Sequence, residues 1–208
     1  MTNSSSLPNP LSRFHVMLAS NSPRRKELLA MLGIDFEVVT THDVDEVCPA
    51  HLPVTHRPEY LSILKATAYY PELRDNDLLI TADTMVIVDD RPLGKPAGRD
   101  EAVAMLRLLS GRTHKVVTGV TVCSRNLQVS FSVTTEVEFS PLTDDEITGY
   151  IDTFRPYDKA GAYGIQEWIG AIGIRGIHGS FYNVMGLPVH YLYNVLQYFT
   201  MHSPETNQ

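Results

Sequence analysis

An acid inside an apolar run is the first residue of chemical interest. Asp83 falls within Thr81-Ala82-Asp83-Thr84-Met85-Val86, a stretch of strand-like composition. Burying a carboxylate there raises its pKa unless a cation or metal offsets the lost hydration. An Asp at a strand end beside bound phosphate can ligate Mg2+ or orient an attacking water. The alternative is a turn or bulge residue that bonds local backbone. A second segment, Leu18-Ala19-Ser20-Asn21-Ser22-Pro23-Arg24-Arg25, runs from an apolar strand into a helix start. Free N–H groups and the positive end of the helix dipole suit an anion at such a place. Arg24 and Arg25 add forked donors that match phosphate oxygens. The alternative is a capped helix with a solvated first turn, although the dipole favours acids at this end.

Other candidates are weaker one by one. Lys65 lies in a helical run, and Lys95 in the loop Leu93-Gly94-Lys95-Pro96. An ammonium in such a loop can sit beside a triphosphate, whereas a lone lysine is ordinarily solvated. Glu46, in Asp43-Val44-Asp45-Glu46, reads as an exposed loop acid or a metal ligand. Tyr157-Asp158-Lys159-Ala160-Gly161-Ala162-Tyr163-Gly164-Ile165-Gln166 is rich in small residues that allow close backbone approach to a ligand. Gln166 offers both donor and acceptor, as reading a base edge requires; a packed turn with a surface Gln is the alternative. There is no phosphate-binding Gly-x-x-x-x-Gly-Lys-Ser/Thr loop, dinucleotide fingerprint, nucleophile elbow or His-Glu-x-x-His pair. His51 and His56, five apart in a polar loop, read as solvent-facing.

The elements that must position these residues alternate along the chain. Strands are predicted at 15–19 and 36–39. A helix follows Ser22-Pro23, carries Leu28, Leu29 and Leu32, and ends at Gly33. After a loop over 42–58, a helix spans 59–70. Residues 78–82 and 85–88 read as one interrupted or bent strand, and 100–109 as a helix. Residues 113–124 and 128–139 form a hairpin, and Thr143-Asp144-Asp145-Glu146 is a capping box. Short strands are expected at 163–166 and 171–174. A turn over 179–188 leads to a closing helix at 187–199. The pattern implies an α/β protein with a long mixed sheet.

Bulk properties narrow the partners. The chain has 208 residues, 43% hydrophobic and 20% charged, with a formal net charge of -7. That balance disfavours duplex DNA and anionic membrane, but not a small polyanion in a local basic pocket. No apolar run reaches the roughly 18 residues of a membrane span. Two cysteines, Cys48 and Cys123, give neither a disulfide framework nor a zinc spacing, which predicts a reducing compartment, the cytoplasm. Residues 1–12 and 201–208 read as tails around one folded unit at 13–200.

Taken in order, these segments resemble the Maf family of nucleoside triphosphate pyrophosphatases. The resemblance rests on Leu18-Ala19-Ser20, Ser22-Pro23-Arg24-Arg25, Lys65-Ala66, Ala82-Asp83-Thr84, Gly94-Lys95-Pro96, Leu109-Ser110-Gly111, Lys159 to Gln166, and Gly186-Leu187-Pro188. It implies a mixed, elongated twisted sheet flanked by helices, with two lobes around a central cleft, as in the related inosine triphosphatases. It also implies a homodimer and hydrolysis of dTTP and UTP, with CTP or modified pyrimidine nucleotides as further candidates, to the monophosphate and pyrophosphate. By resemblance Asp83 is the general base, and Arg24, Thr84 and Gln166 shape substrate choice, with Ser22 beside them. Arg25, Lys65 and Lys95 hold phosphates, and Glu46 with Asp83 holds Mg2+ or Mn2+. Tyr163 to Gln166 matches the branch that prefers dTTP and UTP over the one that prefers 7-methyl-GTP. One departure stands out: Glu167-Trp168 follows, where that branch usually has Gly, and is expected to narrow or re-aim the base pocket. The alternative readings are a nucleotide-binding regulator of cell division and septum formation without catalysis, a 7-methyl-GTP pyrophosphatase, and cleavage of inosine-type triphosphates.

Overall fold

The computed structural model describes residues 11–40 and 42–202. Of the tails expected over 1–12 and 201–208, residues 1–10 and 203–208 lie outside the described residues. Leu11, assigned by sequence to the first tail, is 1% exposed and joins the core, while Met201 and His202 complete the last helix.

The chain begins with β1 (His15–Ala19), whose Val16 and Leu18 are buried. Ser22 caps α1 (Pro23–Ala30), which stops short of Gly33; that glycine takes φ +69° in the following turn. Next come the two-residue β2 (Glu37–Val38), a long loop, and α2 (Arg57–Tyr69). Strand β3 (Asp77–Val88) runs on without the interruption expected at Asp83-Thr84, because both residues keep their ladder positions opposite Gly119 and Thr118. It folds back into β4 (Arg91–Leu93) through Asp89 and Asp90, both at positive φ. Asp tolerates that left-handed geometry, but without a glycine the turn is hard to see in sequence.

Helix α3 (Arg99–Leu109) and the hairpin of β5 (Thr113–Cys123) and β6 (Gln128–Phe139) follow as expected. The capping box opens α4 (Asp144–Phe154), with both reciprocal bonds formed. Residues 163–166 make a turn rather than a strand. The segment after it is α5 (Trp168–Gly173), followed by β7 (Ile174–His178). Gly170 explains the compact path: a Cβ there would meet the Ile165 carbonyl at 1.8 Å, so the chain folds onto itself where an extended strand was predicted. Within the predicted turn over 179–188, Ser180 caps α6 (Phe181–Met185), and α7 (Val189–His202) closes the chain.

The strands form a mixed seven-stranded sheet in the order β2-β1-β3-β5-β6-β7, with β4 also on β3. β1 runs parallel to β2 and β3, and the other pairs are antiparallel. One irregularity matters most. β1 pairs with β3 only as far as Thr81, and β4 joins the ladder at Val86. Between them, residues 82–85 have no strand neighbour on that edge among the described residues.

Side chains alternate faces along β3. On one face Leu78, Ile80 and Ala82 join a cluster with α1 and α7, while Val86 and Val88 join another with α3 and α4. Thr84 stands between these two apolar lobes. On the other face Leu79 and Asp83 look toward α2. That helix presses onto β5 at Gly119, where a Cβ would come within 2.2 Å of the Pro58 and Glu59 backbone. A buried polar seam locks it there: Thr81 Oγ1 donates to the Ser62 carbonyl at 2.6 Å, and Ser62 Oγ pairs with Thr121 Oγ1 at 2.8 Å.

Candidate active site

The gap on the β3 edge opens into a cleft of about 730 Å3. Ligands of open α/β sheets bind beyond the carboxyl ends of parallel strands, and this cleft lies beyond the end of β1. Ser22, Arg24, Arg25, Glu46, Lys65, Asp83, Thr84, Lys95 and Gln166 all line it. Nine residues scattered from the first helix to the turn before α5 therefore meet at one place. His51 and His56 are exposed outside it.

Asp83 is held in a regular strand, not in a turn or bulge. Its side chain is 15% exposed and accepts from Lys65 Nζ through Oδ1 at 2.8 Å. Lys65 reaches it because α2 is seated so close to the sheet. The same ammonium lies 3.0 Å from Glu46 Oε1, so the loop acid is tied to the site even though its side chain is 50% exposed. Lys65 is thus neither solvated nor free: it joins the two carboxylates.

The start of α1 is built as the sequence suggests, but its two arginines differ. Ser22 Oγ accepts the Arg25 N–H at 3.5 Å, capping the helix. Arg25 turns under the cleft. Its Nε donates to the Gly186 carbonyl at 2.9 Å, Nη1 to the Ala82 carbonyl at 2.8 Å and to Ser20 Oγ at 3.4 Å, and Nη2 to Thr84 Oγ1 at 3.0 Å. A guanidinium has five N–H donors, so one remains for a phosphate. Burial lowers the Arg25 pKa, with the nearby Asp83 charge working the other way. Arg25 is chiefly the brace that fills the polar gap between the lobes and holds Thr84, which also pairs with Thr118 Oγ1 at 3.0 Å.

Arg24 instead crosses the cleft mouth and donates through Nη1 to Asp158 Oδ2 at 2.6 Å. Asp158 also accepts from Lys159 Nζ at 2.7 Å. Burial works to raise the Asp158 pKa, but hydrogen bonds from Lys159 and Arg24 outweigh it and bring the carboxyl down to about 2. Lys95 is exposed at the rim, on a loop anchored by the Gly161 N–H donating to the Gly94 carbonyl at 3.0 Å. Gly161 has φ +69°, and a Cβ there would press on Val86 at 3.0 Å. Gln166 is exposed to the cleft in the turn closed by Glu167 N–H to the Gly164 carbonyl at 3.0 Å. Glu167 and Trp168, expected to re-aim the base pocket, do not line the cleft. Trp168 is exposed, and the Glu167 carboxylate turns inward.

Sequence reasoning gave Asp158 and Lys159 no individual role. Their adjacency within the small-residue segment was the available signal, since an acid beside a base in a close-approach loop is placed to meet a charged group.

The lining carries five cations, Arg24, Arg25, Lys65, Lys95 and Lys159, against four acids, Asp43, Glu46, Asp83 and Asp158. The cleft is therefore locally positive in a chain of net charge -7, yet leaves most of a triphosphate's charge for a divalent cation to offset. The donor set fits such an ion: Glu46 and Asp83 converge on one ammonium within 3.0 Å. Mg2+ is typically held by one or two carboxylates together with substrate phosphates and water. No group of three or more His, Cys, Asp or Glu side chains able to hold a metal occurs among the described residues. An ion here would thus depend on substrate oxygens for its remaining ligands. No helix among the described residues is long and apolar enough to cross a membrane.

Known proteins share this chain's sequence and fold. The family described as Maf-like protein matches residues 15–199. A dTTP/UTP pyrophosphatase of Bacteroides thetaiotaomicron is 53% identical over 187 residues, covering 90% of this chain and 97% of that protein. The dTTP/UTP pyrophosphatase of Porphyromonas gingivalis strain ATCC 33277 is 54% identical over 191 residues, covering 91% and 96%. That of Flavobacterium psychrophilum is 46% identical over 178 residues, covering 86% and 91%. Among solved structures, a HAM1 protein from Coxiella burnetii superposes with a TM-score of 0.53 at 17% identity, covering 89% of this chain and 99% of that one. At that identity the likeness concerns the fold alone.

Proposed function

The chain belongs to the Maf-like protein family, and we propose that it hydrolyses dTTP and UTP to the monophosphate and pyrophosphate, cleansing the nucleotide pool. One observation carries the reading: Asp83, Arg24, Lys65, Lys95 and Gln166 line a single cleft sized for a nucleotide. The names of the relatives that span nearly this whole chain support the choice of dTTP and UTP.

In this mechanism Arg24 and Lys95 grip the phosphate tail from opposite sides of the cleft, and the remaining Arg25 donor meets it from below. Arg24 would exchange Asp158 for phosphate as substrate enters. Lys65 holds Asp83 Oδ1 until substrate and metal arrive; Oδ2, which makes no hydrogen bond among the described residues, takes a proton from water attacking the α-phosphorus. Pyrophosphate departs as the α-phosphorus bond to the bridging oxygen breaks. Mg2+ or Mn2+ held by Glu46 and Asp83 would supply positive charge against the phosphoryl oxygens. Gln166 presents donor and acceptor to the base edge, and Thr84 also lines the cleft.

We place the enzyme in the cytoplasm, where its unpaired cysteines Cys48 and Cys123 suit a reducing environment, and take a homodimer as its working form. The test is pyrophosphate release from dTTP, UTP, CTP, 7-methyl-GTP and ITP, each with and without Mg2+ or Mn2+. The reading expects metal-dependent release that is fastest with dTTP and UTP. Binding without release, or a preference for ITP or 7-methyl-GTP, contradicts it.

A further inference from the structure

Glu167 lies beside the cleft but points away from it, with its side chain 18% exposed. Its Oε2 accepts a short hydrogen bond from the Tyr150 phenol, and its Oε1 lies 3.1 Å from Lys159 Nζ. The Tyr150 oxygen in turn accepts the Gly164 N–H at 3.0 Å. The Glu167 carboxylate packs so closely on Gly164 that a Cβ there would come within 2.8 Å of its Cδ. The Glu167 N–H closes the turn onto the Gly164 carbonyl at 3.0 Å. Gly164 is therefore fastened to Glu167 directly through its carbonyl and, through its N–H, by way of the Tyr150 phenol, and Gln166 is carried on the loop between them.

The network continues toward the phosphate side. Lys159 also donates to Asp158 at 2.7 Å, and Asp158 accepts from Arg24 at 2.6 Å. Tyr150 is 1% exposed, and burial with the adjacent Glu167 raises its pKa, which keeps the phenol a donor. A buried polar network of this kind becomes costly when half-satisfied, so its members hold one arrangement or lose it together.

We propose that Glu167 is a positioning residue for nucleobase recognition: through Tyr150 and Lys159 it holds the 164–167 turn so that Gln166 meets the base. The inference rests on the nucleotide-cleaving reading above. Replacing Glu167 takes no group from the cleft lining, but it frees the turn and leaves Tyr150 and Lys159 without their shared partner. Loss of preorganisation in a binding loop weakens binding of the group it reads more than it slows a reaction elsewhere in the site.

Steady-state pyrophosphate release from dTTP, UTP and CTP tests this in the full chain with Glu167→Gly, Glu167→Gln and Tyr150→Phe, beside thermal unfolding of each. Glu167→Gly and Tyr150→Phe should raise KM for the preferred nucleotide about tenfold, with kcat changed less than about threefold, and should level the rates among bases. Glu167→Gln should recover most of the loss, because its amide oxygen still accepts from Tyr150. KM values unchanged in both Glu167→Gly and Tyr150→Phe overturn the inference. So does a fall in kcat that follows the folded fraction, with Gln no better than Gly. If the unaltered protein releases no pyrophosphate from any of the three, the proposed function fails and this inference with it. An active parent with unmoved KM values sinks the inference alone.

Discussion

Lys65 donates to Asp83 at 2.8 Å while standing 3.0 Å from Glu46, so one ammonium joins the two carboxylates that a divalent ion would share. If the proposed metal binds there before nucleotide arrives, it must compete with this lysine for the same oxygens. Lys65→Ala should bind Mn2+ about tenfold more tightly without nucleotide, a factor worth about 1.4 kcal/mol, while turning over more slowly. Calorimetric titration of the nucleotide-free protein measures it. Unchanged Mn2+ affinity would place the metal elsewhere.

The two adjacent arginines should fail in different ways. Arg25 satisfies the Ala82 and Gly186 carbonyls beneath the cleft, and removing it leaves them unpaired. Arg25→Ala should lose about 1–3 kcal/mol of stability in urea unfolding. Arg24, whose partner Asp158 is half exposed, should cost little stability on truncation but raise KM. The reverse pattern would contradict the division of labour.

Gly119 tests the seating of α2. An added Cβ would meet the Pro58 and Glu59 backbone at 2.2 Å, pushing the helix that carries Lys65 off the sheet. Gly119→Ala should destabilise the protein by about 1–3 kcal/mol or more and depress turnover. Gly149, within α4, has nothing within 4 Å of an added Cβ, so Gly149→Ala should be neutral or stabilising by up to about 1 kcal/mol. Equal unfolding midpoints for the two variants would refute the close approach.

Two histidines give stability opposite pH slopes. His114 is 2% exposed, with Nε2 2.7 Å from the Tyr163 oxygen, and burial pushes its pKa down to about 4. The unfolded chain takes up this proton near the ordinary value of 6.5 and the folded chain does not, so stability falls as pH drops from 6.5 toward 4, by up to about 3 kcal/mol. His15 is raised above 6.5, first by its hydrogen bond with Asp77 and then by Glu37, with burial opposing. Its contribution is complete below 6.5 and is lost as pH climbs through the raised value. Unfolding midpoints against pH should lose their acid slope in His114→Gln and their alkaline slope in His15→Gln. Profiles parallel to the parent in both variants would rule this out.

Local signals were legible where one element decided its own form. Ser22-Pro23 opened α1, Thr143 to Glu146 opened α4, and the alternation through 113–139 gave the β5–β6 hairpin. The residues that line the cleft were recognisable by type and order, but the contacts each makes there were not. That Lys65 joins Glu46 to Asp83 depends on Gly119 admitting α2, a contact between segments far apart in sequence. That Arg25 is a brace depends on the Ala82 and Gly186 carbonyls beneath the cleft, and that Arg24 crosses the mouth depends on the Asp158 carboxylate. Helix α5 was hidden because 171–174 read as a short strand, whereas the tight contact with Ile165, which requires glycine at 170, folds the segment into a helix. Glu167 looked like a pocket residue by its place after Gln166, and only the position of Tyr150 turns it inward.

The direct measurement is pyrophosphate release by Asp83→Asn with dTTP and Mg2+. The substitution keeps the shape of the side chain and an oxygen to accept from Lys65, so unfolding should be nearly unchanged. Loss of a positioned base should lower kcat by about 10²–10⁴-fold. A folded Asp83→Asn protein that turns over dTTP as fast as the parent would contradict the assignment of Asp83 as base.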